Sequence, residues 1–279
     1  MGKDYPCVIH REPGLQSSSL VVGWIEDAGN LAVKVTDYLN AKLGGVEFGE
    51  VEPVDFFPMS GVSVEDDIAH FPESKFYSCP QYNLVIFKSN APQSAWYEFL
   101  GSVLDVAEHY CHAKEIYTVG GMVTYSAHTA PRELLAVTNS PKLKRTLREY
   151  DIDTEMDYET PPGQRPTLSS FLLWVAQRRG IPGASLWVPV PFYLVSTEDP
   201  PACRRTLEFL DKRLGCGIDF RDLDEEVASH NQKIAEARSR FSEIDESIRK
   251  LETHVPLTQE ESERLVREIQ RILKYGDRS

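Results

Sequence analysis

The sequence has no surplus of basic residues. Lysine and arginine number 30 against 43 aspartates and glutamates, for a formal charge of −13. A broad nucleic-acid-binding face needs concentrated positive charge, so that class is disfavoured. Docking on anionic lipid is disfavoured for the same reason. No apolar run reaches the roughly 20 residues that cross a bilayer. The opening residues MGKDYPCVIHREPG lack the apolar stretch of a secretory signal, and Pro6 spoils the lipidation pattern that Met1-Gly2 would begin. The expectation is a cytoplasmic protein with no membrane partner.

Cysteine is scarce and dispersed. Cys7, Cys79, Cys111, Cys203 and Cys216 are odd in number and no two are close. Neither a disulfide framework nor a zinc knuckle is indicated, and the thiols read as reduced. Cys111-His112 lacks partners at ligand spacing and reads as the exposed end of a helix. No metal site is expected.

Nucleotide motifs are missing as well. GWIEDAGN (23–30) joins a strand to a helix, where open α/β sheets bind ligands, yet it is not GxGxxG and has no P-loop lysine. Glu26 and Asp27 repel phosphate but suit a helix N-terminus, so a capping role suffices for Asp27. Gly23, Trp24, Asp27 and Asn30 remain candidates for contact with a ligand or partner. A second loop, VGGMVTYSAHTAPRE (119–133), carries Gly120, Gly121, His128 and Arg132. Such a loop could hold a small anion or a general base, and His128 is the one weak catalytic candidate. No nucleophile–base–orienter set is legible around Ser126. ETPPGQRPT (159–167) reads as a rigid loop before a helix. Acidic Glu50, Glu52 and Asp55 interleave with apolar residues, as on a solvated edge strand. No cofactor is expected.

What is present is an ordinary globular composition over 279 residues, 41% apolar and 26% charged. It is enough chain to bury a large core. Residues 221–279 hold 14 acids and 11 bases, whereas 1–220 carry −10 of the net charge. The shift in composition predicts two parts, 1–220 and 221–279, and a partner for the first part with a neutral or basic face. The first part alternates strands (17–25, 46–54, 82–89, 115–121, 184–190) with helices (31–43, 94–111 capped by Ser94, 168–179 capped by Thr167, 200–215). This alternation predicts an α/β sheet covered on both faces. In the second part Leu223, Val227, His230, Ile234, Ala237, Phe241, Ile244, Ile248 and Leu251 follow a 4-3 spacing. A capping box, Thr258 with Glu261, opens another helix. The pattern predicts a helical hairpin folded on itself or on the sheet, or alternatively an oligomer or partner contact. Trp24, Phe56, Phe57 and Phe192 add apolar material for an interface, so a homo-oligomer is expected, a trimer among the options.

Several segments in order resemble the proteasome assembly chaperone family, second type. They are LVVGWIEDAGNLAVKVTDYL, VDFF (54–57), YNLVIFKSNAPQSAWYEFLGSVLDVAEHY, EIYTVGGM followed by HTAPRE, and TPPGQRPTLSSFLLWVAQRRGIPGASLWVPVPFYLVSTEDPPACRRTLEFL. The resemblance spans about residues 15–215, and the tail is similar to the extra C-terminal hairpin of bacterial members. It implies a three-layer αβα sandwich similar to the phosphorylase/hydrolase-like fold, with a C-terminal α-helical hairpin. It also implies protein partners such as proteasome-like subunits. Some relatives dock through a terminal hydrophobic–tyrosine–any-residue tail, an arrangement that LKYGDRS does not match. Phe192 stands where relatives carry His or Ala. The reading is a non-catalytic, chaperone-like interaction protein. The alternative is a small-molecule hydrolase/phosphorylase-like enzyme or ligand binder using the 23–30 and 119–132 loops.

Overall fold

The structure, a computed structural model, describes residues 6–25, 27–53, 56–57, 62–65, 67–157, 159–160 and 162–275. Expectations for Met1-Gly2, Glu26, residues 54–55 and residues 276–279 lie outside the described residues. In chain order the elements are β1 (Cys7–Ile9), β2 (Ser19–Trp24), α1 (Leu31–Leu43), β3 (Val46–Val51), β4 (Ser63–Glu65), β5 (Ile68–His70), β6 (Ser74–Cys79), β7 (Leu84–Ser89) and α2 (Trp96–His109). There follow β8 (Glu115–Thr124), β9 (Leu135–Thr138), α3 (Pro141–Leu147), α4 (Leu168–Arg178), β10 (Gly183–Pro191), α5 (Pro200–Leu214), α6 (Arg221–Arg240), α7 (Ser242–Glu252) and α8 (Gln259–Tyr275).

The most apolar segments make the middle of one eight-stranded sheet, ordered β1-β3-β6-β7-β2-β8-β10-β9. The four central strands, β7, β2, β8 and β10, run parallel. β2 is buried at every position, as a strand with both faces covered must be. Antiparallel strands extend the sheet on both sides: β6, β3 and β1 beyond β7, and β9 beyond β10. β4 and β5 form a separate hairpin.

Helices cover both faces. On one, α2 and α4 close a core of Val22, Phe87, Phe99, Val103 and Leu172. On the other, α1 and α5 pack Val35, Leu39, Leu207 and Leu210 against Val21, Ile86, Tyr117 and Leu186. That second core runs on into Ile234, Ile248, Leu265 and Ile269 of the tail helices. The tail therefore shares its apolar interior with the sheet.

Local chemistry explains the helix ends. Thr167 accepts the Ser170 N–H at the start of α4, as expected. Gly44 and Gly215 close α1 and α5 in the left-handed conformation. Thr258 and Glu261 exchange backbone bonds in the capping box that opens α8.

Four expectations need correction. α2 starts after Ala95, which takes the left-handed N-cap position without a side-chain bond, rather than at Ser94. The strand expected over 46–54 ends at Val51, before Pro53. Cys111 is not an exposed helix end. It is fully buried in the turn after α2, where its carbonyl accepts from Ser18 Oγ at 2.8 Å. In the tail, the 4-3 seam is one run of sequence but two helices. Phe241 is extended (φ −120°, ψ 101°) between α6 and α7, so the expected hairpin is a three-helix assembly.

Candidate functional site

The candidate loops lie at the carboxyl ends of β2 and β8, neighbouring parallel strands. They join directly. The Asp27 carboxylate accepts the Gly121 N–H at 2.9 Å and the Ala32 N–H at 3.1 Å. It thus ties the turn after β2 to β8 while capping the first turn of α1. A side chain at Gly121 would sit 2.2 Å from the Ala28 carbonyl oxygen, so glycine is what lets the two segments touch. Burial raises the Asp27 carboxyl to about 6, against the pull of its backbone N–H partners. Gly29, at φ 71°, donates its N–H to the Val195 carbonyl and draws a third loop into the junction.

His128 is bound to Tyr193 twice. Its backbone N–H donates to Tyr193 Oη at 2.6 Å, and its Nδ1 lies 2.9 Å from the same oxygen. The hydroxyl proton is then free to point at Nδ1, which places the imidazole proton on Nε2. Burial, helped by the cations of Arg238 and Arg132, lowers His128 to about 4. The lowered imidazole is neutral near pH 7 and is held by Tyr193.

Arg132 is equally committed. Its Nε donates to Asp199 Oδ2 at 3.0 Å, with both side chains buried. Its Nη1 donates to the carbonyls of Ala130 and His128. Asp199 also caps α5 by accepting the Ala202 N–H. This internal ion pair anchors the 128–132 loop to the start of α5.

The tail helices close this edge of the sheet. Lys34 of α1 reaches Glu198 (2.6 Å) and Glu226 of α6 (2.5 Å). Tyr38 donates to Asp222 at 2.8 Å, and Thr129 donates to Glu252 of α7 at 3.1 Å. Gln270 of α8 donates to Ser196. What stays open is a groove of about 1230 Å³ beside α6, lined by His128, Arg132, Arg204, Arg205 and Arg238 together with Asp151, Asp153 and Asp224. Its arginines are paired, Arg204 with Asp224, Arg205 with Asp151, and Arg238 with Asp245 and Glu252. Among the described residues no group of three or more His, Cys, Asp or Glu side chains could hold a metal ion.

A family model matches residues 20–238, most of the chain, and it is that of the PAC2 family. The chain belongs to the PAC2 family. No curated protein matches it. Among solved structures it is similar to a Mycobacterium tuberculosis protein of unknown function, at 20% identity and a TM-score of 0.76, over 96% of this chain and 98% of that one. It is similar to Pyrococcus furiosus PbaB, an archaeal proteasome activator, at 20% identity and a TM-score of 0.67, over 83% and 98%. It is also similar to a Mycobacterium tuberculosis proteasome-assembly chaperone homologue, at 17% identity and a TM-score of 0.67, over 84% and 100%. At these identities the likeness is one of fold.

In this PAC2 member the remaining candidates are structural in placement. Gly23 faces Thr36 and the Ala32 carbonyl, too close for any side chain. Gly120 lies against Trp187. Trp24 is buried on the opposite face from the loops, packed on Phe87 and Phe99, with its Nε1 donating to Ser169 Oγ at 3.0 Å. Phe56 is buried as well, so neither ring is available to an interface. Asn30 alone is exposed. Sequence reasoning missed Tyr193, Asp199 and His230, which complete the cluster at this edge. It also missed a ridge of four rings on α2 and α4. Phe171 stacks on Trp174 (5.2 Å, 9°), Tyr97 meets Trp174 at 6.0 Å, and Trp96 meets Phe171 at 6.0 Å. Tyr97 is 50% and Trp174 43% exposed. The i, i+3 spacing of Phe171 and Trp174 was the available signal.

Proposed function

We propose that the chain is a non-catalytic, chaperone-like interaction protein whose partner is a proteasome-type subunit. The observation that carries this reading is the aromatic ridge of α2 and α4. Four adjoining rings, two of them about half exposed, supply the apolar centre typical of a protein interface. The net charge of −10 on residues 1–220 favours a partner with a neutral or basic rim. The printed descriptions of PbaB and of the mycobacterial chaperone homologue point to the same partner class. The alternative, an enzyme or binder using the 23–30 and 119–132 loops, is less supported, because Asp27 and Gly121 bond those loops to each other.

Kinship with the phosphorylase/hydrolase-like three-layer sandwich belongs to the same reading and is supported by helices on both faces of the sheet. So do a division at residue 220, a cytoplasmic location and self-association. The last is supported by the β4–β5 hairpin and its flank, which hold Val64, Ile68 and Phe71 in solvent.

The test is native co-purification from the cells that make the protein, using the full chain and the double variant Tyr97→Ser, Trp174→Ser. Proteasome-type subunits recovered with the wild type and lost at least tenfold with the variant are the expected result. Their absence from both preparations, with the wild type folded, overturns the reading.

A further inference from the structure

A second concavity lies where the turn after β2, the 196–200 turn, α6 and α8 converge. It is a cleft of about 300 Å³ whose walls include Asn30, Ser229, His230, Lys233 and Lys274. This is the size of a small-ligand site, at the carboxyl edge of the parallel strands, where open α/β sheets bind their ligands.

One of its buried polar groups is unsatisfied. His230 is 8% exposed, and its Nε2 is sealed from solvent without a hydrogen-bond partner. A buried ring nitrogen is ordinarily satisfied, so one left bare at the wall of a cleft marks where an outside group fits. Lys233 and Lys274 flank the opening, exposed, and neither is ion-paired among the described residues. The two acids of the same cleft, Glu198 and Glu226, are already bridged by Lys34. The lining itself therefore holds two lysines against two carboxylates, both carboxylates are taken up by the Lys34 ammonium, and Asp199, which also acts on His230, is paired with Arg132. Asn30 and Ser229 add side chains that can donate.

We propose that this cleft binds a small ligand through an oxyanion group, phosphate or carboxylate, held by Lys233 and Lys274 with His230 donating at the wall. The ligand would contact α6, α8 and the α/β part at once, and so would bind only the docked arrangement of the tail. The proposal is independent of the proteasome-subunit reading, since it uses a different surface.

The test is an NMR titration of the full chain with ring-labelled histidines. Inorganic phosphate and acetate are added separately, and His10 and His109 serve as distant references. The expected result is a saturable shift of the His230 resonance by at least one probe, with the references unmoved. In the variant Lys233→Gln, Lys274→Gln the apparent affinity falls at least tenfold, equivalent to about 1.4 kcal/mol. The probe that saturates at lower concentration identifies the oxyanion. A His230 resonance that stays still with both probes, or that responds equally in the variant, overturns the proposal. Both lysines are exposed, so the variant is expected to keep the wild-type melting temperature.

Discussion

The Asp27 carboxylate and the Gly121 N–H, 94 residues apart, meet at 2.9 Å and fasten the turn after β2 to the neighbouring strand β8. The bond exists because position 121 has no side chain. Gly121→Ala would push a methyl group to 2.2 Å from the Ala28 carbonyl oxygen. The expected loss is about 1–3 kcal/mol of stability, read from chemical denaturation. Gly101→Ala is the contrasting control. Gly101 lies inside α2, and a methyl group there finds only the far end of Arg179 at 3.4 Å. It should gain roughly 0.5–1 kcal/mol.

Asp27 and His128 give the stability opposing dependences on pH. Asp27 is raised to about 6 from 3.8, so its folded form holds the proton more tightly than the unfolded chain does. Its stabilisation is full below pH 3.8 and is lost as the pH rises through 6. His128 is lowered to about 4 from 6.5, so its contribution is present above pH 6.5 and is lost as the pH falls through 4. His230, also lowered by burial, acts in the same sense as His128. Between pH 4 and 6 the carboxyl and imidazole contributions oppose each other. Asp27→Asn removes one side, so the variant should lose stability more steeply on acidification than the wild type. His128→Gln should flatten or invert the slope. Melting temperatures measured from pH 4 to 7 decide, and parallel curves for all three proteins would contradict the assignment.

Arg132 and Asp199 form a buried pair, and removing one partner strands the other. Arg132→Ala leaves the Asp199 carboxylate buried without its cation, and a loss of about 3–5 kcal/mol is expected. Arg132→Ala combined with Asp199→Asn should recover part of that loss, because the stranded charge is gone. A double-mutant cycle in denaturant measures the coupling.

Self-association predicts a mass in solution above that of the 31.6 kDa chain. Light scattering should show it, and Ile68→Ser with Phe71→Ser, both on exposed positions, should reduce it. A monomer mass for the wild type at tens of micromolar would refute it.

The parallel centre of the sheet was legible because LVIF and SLVV are apolar runs too short for helices. The flanking strands were less so. In β6, SKFYSC, Phe76 and Tyr77 are the only strand formers, and the other buried positions include Ser74 and Ser78, polar residues covered in the sheet. Position mattered more than residue type at the site. Asp27, Gly121, His128 and Arg132 all lie in the edge cluster, as the order of strand and loop suggested. Their partners Tyr193 and Asp199 come from 65 and 67 residues further along, a separation no local pattern carries. The tail shows the reverse limit. Its 4-3 spacing correctly placed Leu223, Ile234, Ile248 and Leu251 in the interior. Spacing alone was blind to the break at Phe241, where the backbone is extended and the ring, expected in the seam, is 37% exposed.

Lys34 holds Glu198 and Glu226, 164 and 192 residues later in the chain. During synthesis, then, α1 and the edge of the sheet must wait, with that lysine unpaired, until α6 has been made. The segments that wall the edge are α6, α7 and α8, which follow every strand in order of translation. A nascent chain stopped after α5 would lack the cover that α8 gives residues 192–194 and that α6 gives α5. The same helices that close the finished protein therefore leave its unfinished form dependent on protection.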